Sequence, residues 1–552
     1  MSSDRWFDEV KALTLALVRA PSVNGTEDEA RFAERLRHII AQAGFPAGPG
    51  DELRLVPIAG DPLERANVIG LARGQGRRTV VLSGHYDVVT TANYGALEPW
   101  SCEPEELLPR LVKALAGAPA ATPEGLARAD LESGEFLPGR GSLDMKSGVA
   151  AGVAVLRRFA RERPPGNLLF LATPDEEVNS AGMKAARELL PRLAAEWDLE
   201  LNCAVNLDSA SDHGDGAEGR AIFLGSVAKV LPFAYVVGRD SHAGEPLAGV
   251  SATLLGADVV RALEWCPELV EGRGNEASPP PVLLRLTDTK VAYDVTTPGA
   301  VWLYLNVLSY DRRPSEVLEW VRGKVEQAMA GGLQTLWERA AAYAKLSGSP
   351  AASLEWKLET LTYTDLYRRA CQGQAAITGY DAFLRLVAEQ PGLDGPERCR
   401  RLVEFVWQRS GLSGPAAVVG FASLAYPPAS LDPPSSAFAR RFREILEREA
   451  GAAGKWSGSS VKLRGYFHGV SDMSFLARGF NRADLAALAA NTPAWDAGLA
   501  QPGTGGDFAL PVANIGPWGR DYHQRLERVH AAYAFETVPE LVWRVALAAL
   551  AG

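Results

Sequence analysis

Five short patterns in this chain carry residues able to hold metal ions and move a proton: Ser83-Gly84-His85-Tyr86-Asp87, Asp144 within Gly139–Gly148, Asp175-Glu176-Glu177, Asp208 and His523. Two imidazoles, three carboxylates and a spare glutamate are what two bridged Zn²⁺ ions and one general base require. Only seven histidines occur in 552 residues, so their falling into such patterns is not expected by chance. His85 offers a neutral imidazole. Asp87, two residues on, shares its face in extended chain and could accept the ring N–H, which fixes the tautomer. Glu176-Glu177 is the sharpest pattern. Neighbours in extended chain point to opposite sides, so Glu177 can ligate while Glu176 faces a water as general base.

The remaining candidates have plainer readings beside the chemical ones. Asp144, in a glycine-rich loop ahead of a helix, suits a carboxylate bridging two metals; its plain role is a helix cap. Lys146 and Gly148 shape that turn. Asp208 ends another apolar run, with Asp212 and Asp215 as competitors nearby. For His523, His468 and His530 are the alternatives, and Glu527 would support its ring if a helix begins there. His242, in Ser241-His242-Ala243-Gly244, is either a turn histidine or a donor to a carbonyl oxygen becoming an oxyanion. His38, in an amphipathic helix, reads as structural.

The elements that must position these residues alternate. Trp6 to Gly44 reads as two helices broken at Pro21–Gly25, with Thr26 and Glu29 as a capping box. Asn67–Leu71, Arg78–Ser83, Asn167–Thr173 and Asn202–Leu207 read as strands, and Ser147–Arg163 as a helix. Continuous apolar strands alternating with helices imply an α/β domain with a mostly parallel sheet. Ligands in such sheets gather at the carboxyl ends of strands, where His85, Asp175–Glu177 and Asp208 fall. From Lys229 a second unit begins. Its order is β-α-β-β-α-β, with helices near Gly249–Trp265 and Pro314–Ala330 and a closing strand at Val418–Ala425, which is ferredoxin-like. The domains are therefore expected at 1–222, 223–432 and 433–552, the middle one a lid. Insertions fall at 103–132 and, mainly helical, at about 333–413. Gly216–Ala228 and Pro427–Pro434 are the two crossings between domains.

Composition excludes several classes. The length calls for more than one domain. A net charge of −10 argues against a nucleic-acid footprint. No run of 18 apolar residues is present to span a membrane. Five scattered cysteines without a CxxC read as reduced thiols, and the first residues lack a secretion signal, so a cytoplasmic protein is expected.

Taken in order, these motifs resemble the di-zinc amidohydrolase and exopeptidase family of carboxypeptidase G, acetylornithine deacetylase, succinyl-diaminopimelate desuccinylase, aminoacylase and the bacterial dipeptidases. The resemblance spans nearly the whole chain, through Ser83–Val89, Trp100, Gly139–Gly148, Asp175–Glu177, Asp208, Ser241–Gly244, Gly469–Asp472 and Gly516–Glu527. Tyr86 after His85, and Thr173-Pro174 before the acidic triplet, look most like the RocB-like arginine-utilisation branch. The resemblance implies a zinc-aminopeptidase-like catalytic domain plus a lid. It implies one zinc held by His85, Asp144 and Asp208 and another by Asp144, Glu177 and His523, with Co²⁺ or Mn²⁺ as substitutes. Glu176 would be the base, Asp87 the orienter of His85 and His242 the lid donor. The implied reaction is hydrolysis of an amide bond in a short peptide or N-acyl amino acid, by a monomer or a lid-mediated homodimer. The alternative is a catalytically silent protein of the same fold that binds metal or a metabolite for regulation; it has no need of Glu176. One departure stands out. Many relatives carry a carboxylate-gripping Arg on the lid strand, whereas Leu305-Asn306-Val307-Leu308-Ser309 has none; Arg312 and Arg313 are the candidates to replace it.

Overall fold

The structure, a computed structural model, describes residues 4–348, 356–467, 469, 471–500 and 508–551. His468 lies outside the described residues. Two compact units form: Met1–Ser226, Ala429–Gly479 and Asp507–Gly552 make the first, Val227–Pro428 and Phe480–Gly506 the second. The crossings fall within a few residues of those expected. The excursion Phe480–Gly506 differs from expectation, which gave it to the first unit. Phe480 and Leu488 join the apolar core of the second unit, a destination that no break in pattern announces.

The first unit is built on an eight-stranded sheet in the order Glu52–Pro57, Ala66–Arg73, Pro165–Thr173, Gln75–His85, Glu200–Asn206, Val512–Asn514, Ala221–Phe223, Lys462–Arg464. Four neighbouring strands, Pro165–Thr173 through Val512–Asn514, run parallel. Their apolar stretches are buried because helices cover them. Val80, Val81, Leu82, Leu168, Leu169 and Phe170 are all fully buried, and helix Ser147–Glu162 packs on the strands with Val149, Val153 and Leu156. Register pairs His85 with Thr173 and Ser83 with Asn206. Three chain segments that carry candidate residues therefore leave the sheet side by side.

The second unit contains the expected order. Strand Ala416–Phe421 pairs Pro232–Val237, which pairs Ala300–Ser309, which pairs Val282–Asp288, all antiparallel. That is the fourth, first, third and second strand of the β-α-β-β-α-β motif. Helices Ala252–Leu263 and Pro314–Ser347 pack on one side of it through Leu255, Val259, Val321 and Val325. The second helix runs 34 residues, well past the end expected near Ala330. The later insertion adds strand Glu359–Thr362 in parallel to Ala416–Phe421 and helices Tyr363–Cys371, Tyr380–Glu389 and Gly395–Trp407. Those helices bury a separate apolar cluster around Phe233, Tyr235 and Trp302.

Candidate active site

Among the described residues, His85, Glu177 and His523 gather at Asp144, with Glu176 and Asp208 beside His85. The two carboxylate oxygens of Asp144 face different partners. Oδ1 lies 3.2 Å from His85 Nε2, and Oδ2 lies 3.1 Å from His523 Nε2. His523 Nε2 is also 3.1 Å from Glu177 Oε1. On the other side, His85 Nε2 lies 3.9 Å from both Glu176 Oε2 and Asp208 Oδ1. Ligand atoms of His85, Asp144 and Glu177 all fall within 4.8 Å of one another.

The electrostatics of this cluster call for cations. Burial raises Glu176 well above the ordinary carboxylate range, reinforced by Asp208, Asp472 and Glu177 and opposed by His85. Burial, then the charge of Asp144, raises Asp208 to about 7. Burial also raises Glu177. Glu177 Oε1 and Asp472 Oδ1 are buried without a hydrogen-bond partner. His523 Nε2 carries at most one proton, which Asp144 accepts, so Glu177 Oε1 is left over. Clustered, unsatisfied carboxylates and two imidazoles are a donor set that fits metal ions.

Sequence alone did not show how the cluster is held. His85 ends its strand, and its Nδ1 lies 3.0 Å from the backbone carbonyl of Asp87, against 3.6 Å from the Asp87 carboxylate. The carbonyl therefore sets the tautomer, leaving Nε2 for the site. The Asp87 carboxylate is directed instead at the acidic turn: Oδ1 accepts the N–H of Glu176 and Oδ2 that of Glu177, both at 3.1 Å, and Asn24 donates to Oδ2 at 3.0 Å. Asp175, at the root of that turn, holds a left-handed backbone, φ 68°. Arg65 clamps it at 2.7 Å and also binds Glu29 and Asp61; Arg65, Glu29 and Asp175 are buried. Thr26 caps the helix as expected, but Glu29 reaches Gly25 N, Asp175 N and Arg65. Removing the guanidinium strands three carboxylates. Arg65→Met is expected to destabilise the first unit by about 3–5 kcal/mol, the scale for breaking a buried pair. A thermal midpoint equal to that of the wild type would contradict this.

Glu527 also departs from expectation. No helix begins at His523, and Glu527 does not support that ring. Its Oε1 accepts the N–H groups of Gly141, Leu143 and Asp144, and Oε2 pairs with buried Arg140. It thus folds the loop that presents Asp144. Lys146 completes the loop by donating to the Ala20 carbonyl at 2.7 Å, and burial lowers it to about 8. Gly148 and Gly516 permit close passage: a Cβ on the first would meet the Leu207 carbonyl, on the second the Asp208 carbonyl. Asp130, from the 103–132 insertion, binds Arg528 at 2.6 Å, and Arg528 binds Asp521 at 2.6 Å. That insertion braces the segment carrying His523.

The competitors fall elsewhere. Asp212 and Asp215 accept backbone N–H groups of their own turns. His530 accepts from Tyr533 N and packs edge-on to Phe136. His38 is exposed on its helix. Asp208 is secured by Asn514, whose side chain accepts its N–H at 2.9 Å and donates to its carbonyl at 2.7 Å. In the second unit, His242 is exposed and its Nδ1 accepts from Gly244 N at 3.0 Å. Arg312 and Arg313, the candidates for a carboxylate-gripping arginine, both have partners within the second unit. Arg312 is held by Glu271 and the Glu268 carbonyl, Arg313 by Asp484 at 2.9 Å.

A profile of peptidase family M20/M25/M40 matches residues 119–486, well over half of the chain. The chain belongs to that family. Asp144, Glu176, Glu177 and Asp208 lie inside the matched segment; His85 and His523 flank it. Among curated relatives, the uncharacterized protein YqjN of Bacillus subtilis is 29% identical over 538 residues, covering 97% of this chain and 95% of its own. Protein RocB of the same organism is 28% identical over 540 residues, covering 97% and 94%. This M20 member is thus of the RocB-like branch. Its fold resembles that of a tripeptidase from Staphylococcus aureus, with TM-score 0.53, 14% identity and 99% of each chain covered.

Proposed function

We propose that this M20 protein hydrolyses an amide bond in a short peptide or N-acyl amino acid, using two metal ions, most simply Zn²⁺. The observation that carries the reading is Asp144, whose two oxygens face two separate donor sets. His85 and Asp208 would complete one metal site and Glu177 and His523 the other. When bound, the ions supply Lewis acidity toward a water and the scissile carbonyl. Glu176, adjacent to a ligand and 3.9 Å from His85 Nε2, takes the proton of the attacking water and returns it to the leaving amine. Asp87 positions Glu176 and Glu177 together through their backbone N–H groups.

His242 is assigned as the donor to the carbonyl oxygen as negative charge develops there. Because Nδ1 accepts a hydrogen bond, the neutral ring carries its proton on Nε2, ready to donate. His242→Ala is expected to lower kcat by about 10²–10³ with metal content unchanged, the scale for losing one oxyanion donor. Full activity in that variant would remove the residue from the mechanism. Turnover of a panel of dipeptides, tripeptides and N-acyl amino acids tests the function itself. Hydrolysis of at least one class, abolished by a chelator and restored by Zn²⁺ or Co²⁺, is the expected result. A metal-loaded protein inert on the whole panel would overturn it.

A further inference from the structure

A cavity of about 660 Å³ lies wholly within the second unit, a volume typical of small-molecule sites. One wall is the turn and helix start Ser241–Ser251; another is the far end of the long helix, beyond the length expected for the motif. None of the first-unit cluster residues lines it. Its apolar lining includes Leu247, Leu336, Tyr343 and Trp356. Tyr343 is 56% exposed. Two charged side chains also line it, Arg339 and Glu245. Among the described residues neither forms an ion pair, with each other or with another group.

A cation, an anion and aromatic walls lining one cavity suit a small zwitterion with an apolar side chain. We infer that this cavity binds a free α-amino acid with an apolar or aromatic side chain. Its carboxylate would pair with Arg339, whose planar fork suits that group. Its ammonium would pair with Glu245. Its side chain would lie against Tyr343, Trp356 and Leu336, where ring faces offer area at little entropy cost.

Calorimetric titration of the full-length, metal-loaded Glu176→Gln protein tests this without turnover. The probes are L-phenylalanine, 3-phenylpropionate, which lacks the ammonium, and phenethylamine, which lacks the carboxylate. L-Phenylalanine is expected to bind. Arg339→Gln should weaken L-phenylalanine and 3-phenylpropionate by about ten-fold or more and leave phenethylamine unchanged, as expected for a lost charged hydrogen bond. Glu245→Gln should do the converse. Both side chains are exposed, so neither substitution threatens folding. No binding of L-phenylalanine at millimolar concentration, or binding indifferent to both substitutions, would overturn the inference. So would loss of binding in an Asp144→Asn background alone, which would place the amino acid at the metal ligands. Failure of the hydrolysis panel leaves this result untouched, because the readout is binding.

Discussion

Glu176→Gln should leave two metal ions per chain in place and reduce kcat by about 10²–10⁴, the usual scale for losing a general acid–base group. Glu176 and Glu177 receive the same support, one Asp87 oxygen on each backbone N–H at 3.1 Å. Their side chains diverge. Glu177 reaches His523 at 3.1 Å, whereas Glu176 stands 3.9 Å from His85. Glutamine keeps the shape and hydrogen-bonding length but cannot take a proton from water. KM should change little, because the ligands and the Asp87 bonds remain. The paired variant Glu177→Gln should lose metal first and activity as a result. If Glu176→Gln loses metal while Glu177→Gln retains it, the two roles are exchanged.

Asp144→Asn is expected to have the other large effect. The substitution neutralises the one carboxylate that both histidines contact. Activity should fall by more than the roughly 10–100-fold typical of residues that only support a ligand, and metal content should fall with it. Asp87→Asn supplies the contrast. It contacts the site through backbone N–H groups and a carbonyl, so its loss should stay within that 10–100-fold range. Equal effects of the two substitutions would mean that Asp144 holds no more than one ion.

The parts legible in the sequence were those written in local pattern. Thr79–Leu82 and Leu168–Thr173 are apolar runs that only a strand buried on both faces accommodates, and the residues just past them became the cluster. The β-α-β-β-α-β order was legible for the same reason. What escaped was the support between distant segments. Glu527 folds the Asp144 loop from 386 residues away in sequence, and the Arg65 clamp on Asp175 spans 110. Nothing in the local pattern around either residue encodes such a partner. Asp87 misled for a subtler reason. His-x-Asp correctly placed both side chains near one another, but the carbonyl of Asp87 took the ring nitrogen and freed the carboxylate for the acidic turn. Similarly, Phe480–Gly506 joins the second unit through apolar residues that would have suited either core.

The central claim is that Asp144 serves two cations rather than one. Equilibrium dialysis of the full chain against Zn²⁺ or Co²⁺, with metal counted by mass spectrometry, tests it most directly. Two ions per chain at saturation in the wild-type protein, falling in Asp144→Asn, is the result predicted by two donor sets around one carboxylate. A stoichiometry that stays at one ion per chain, however high the free metal, would contradict it.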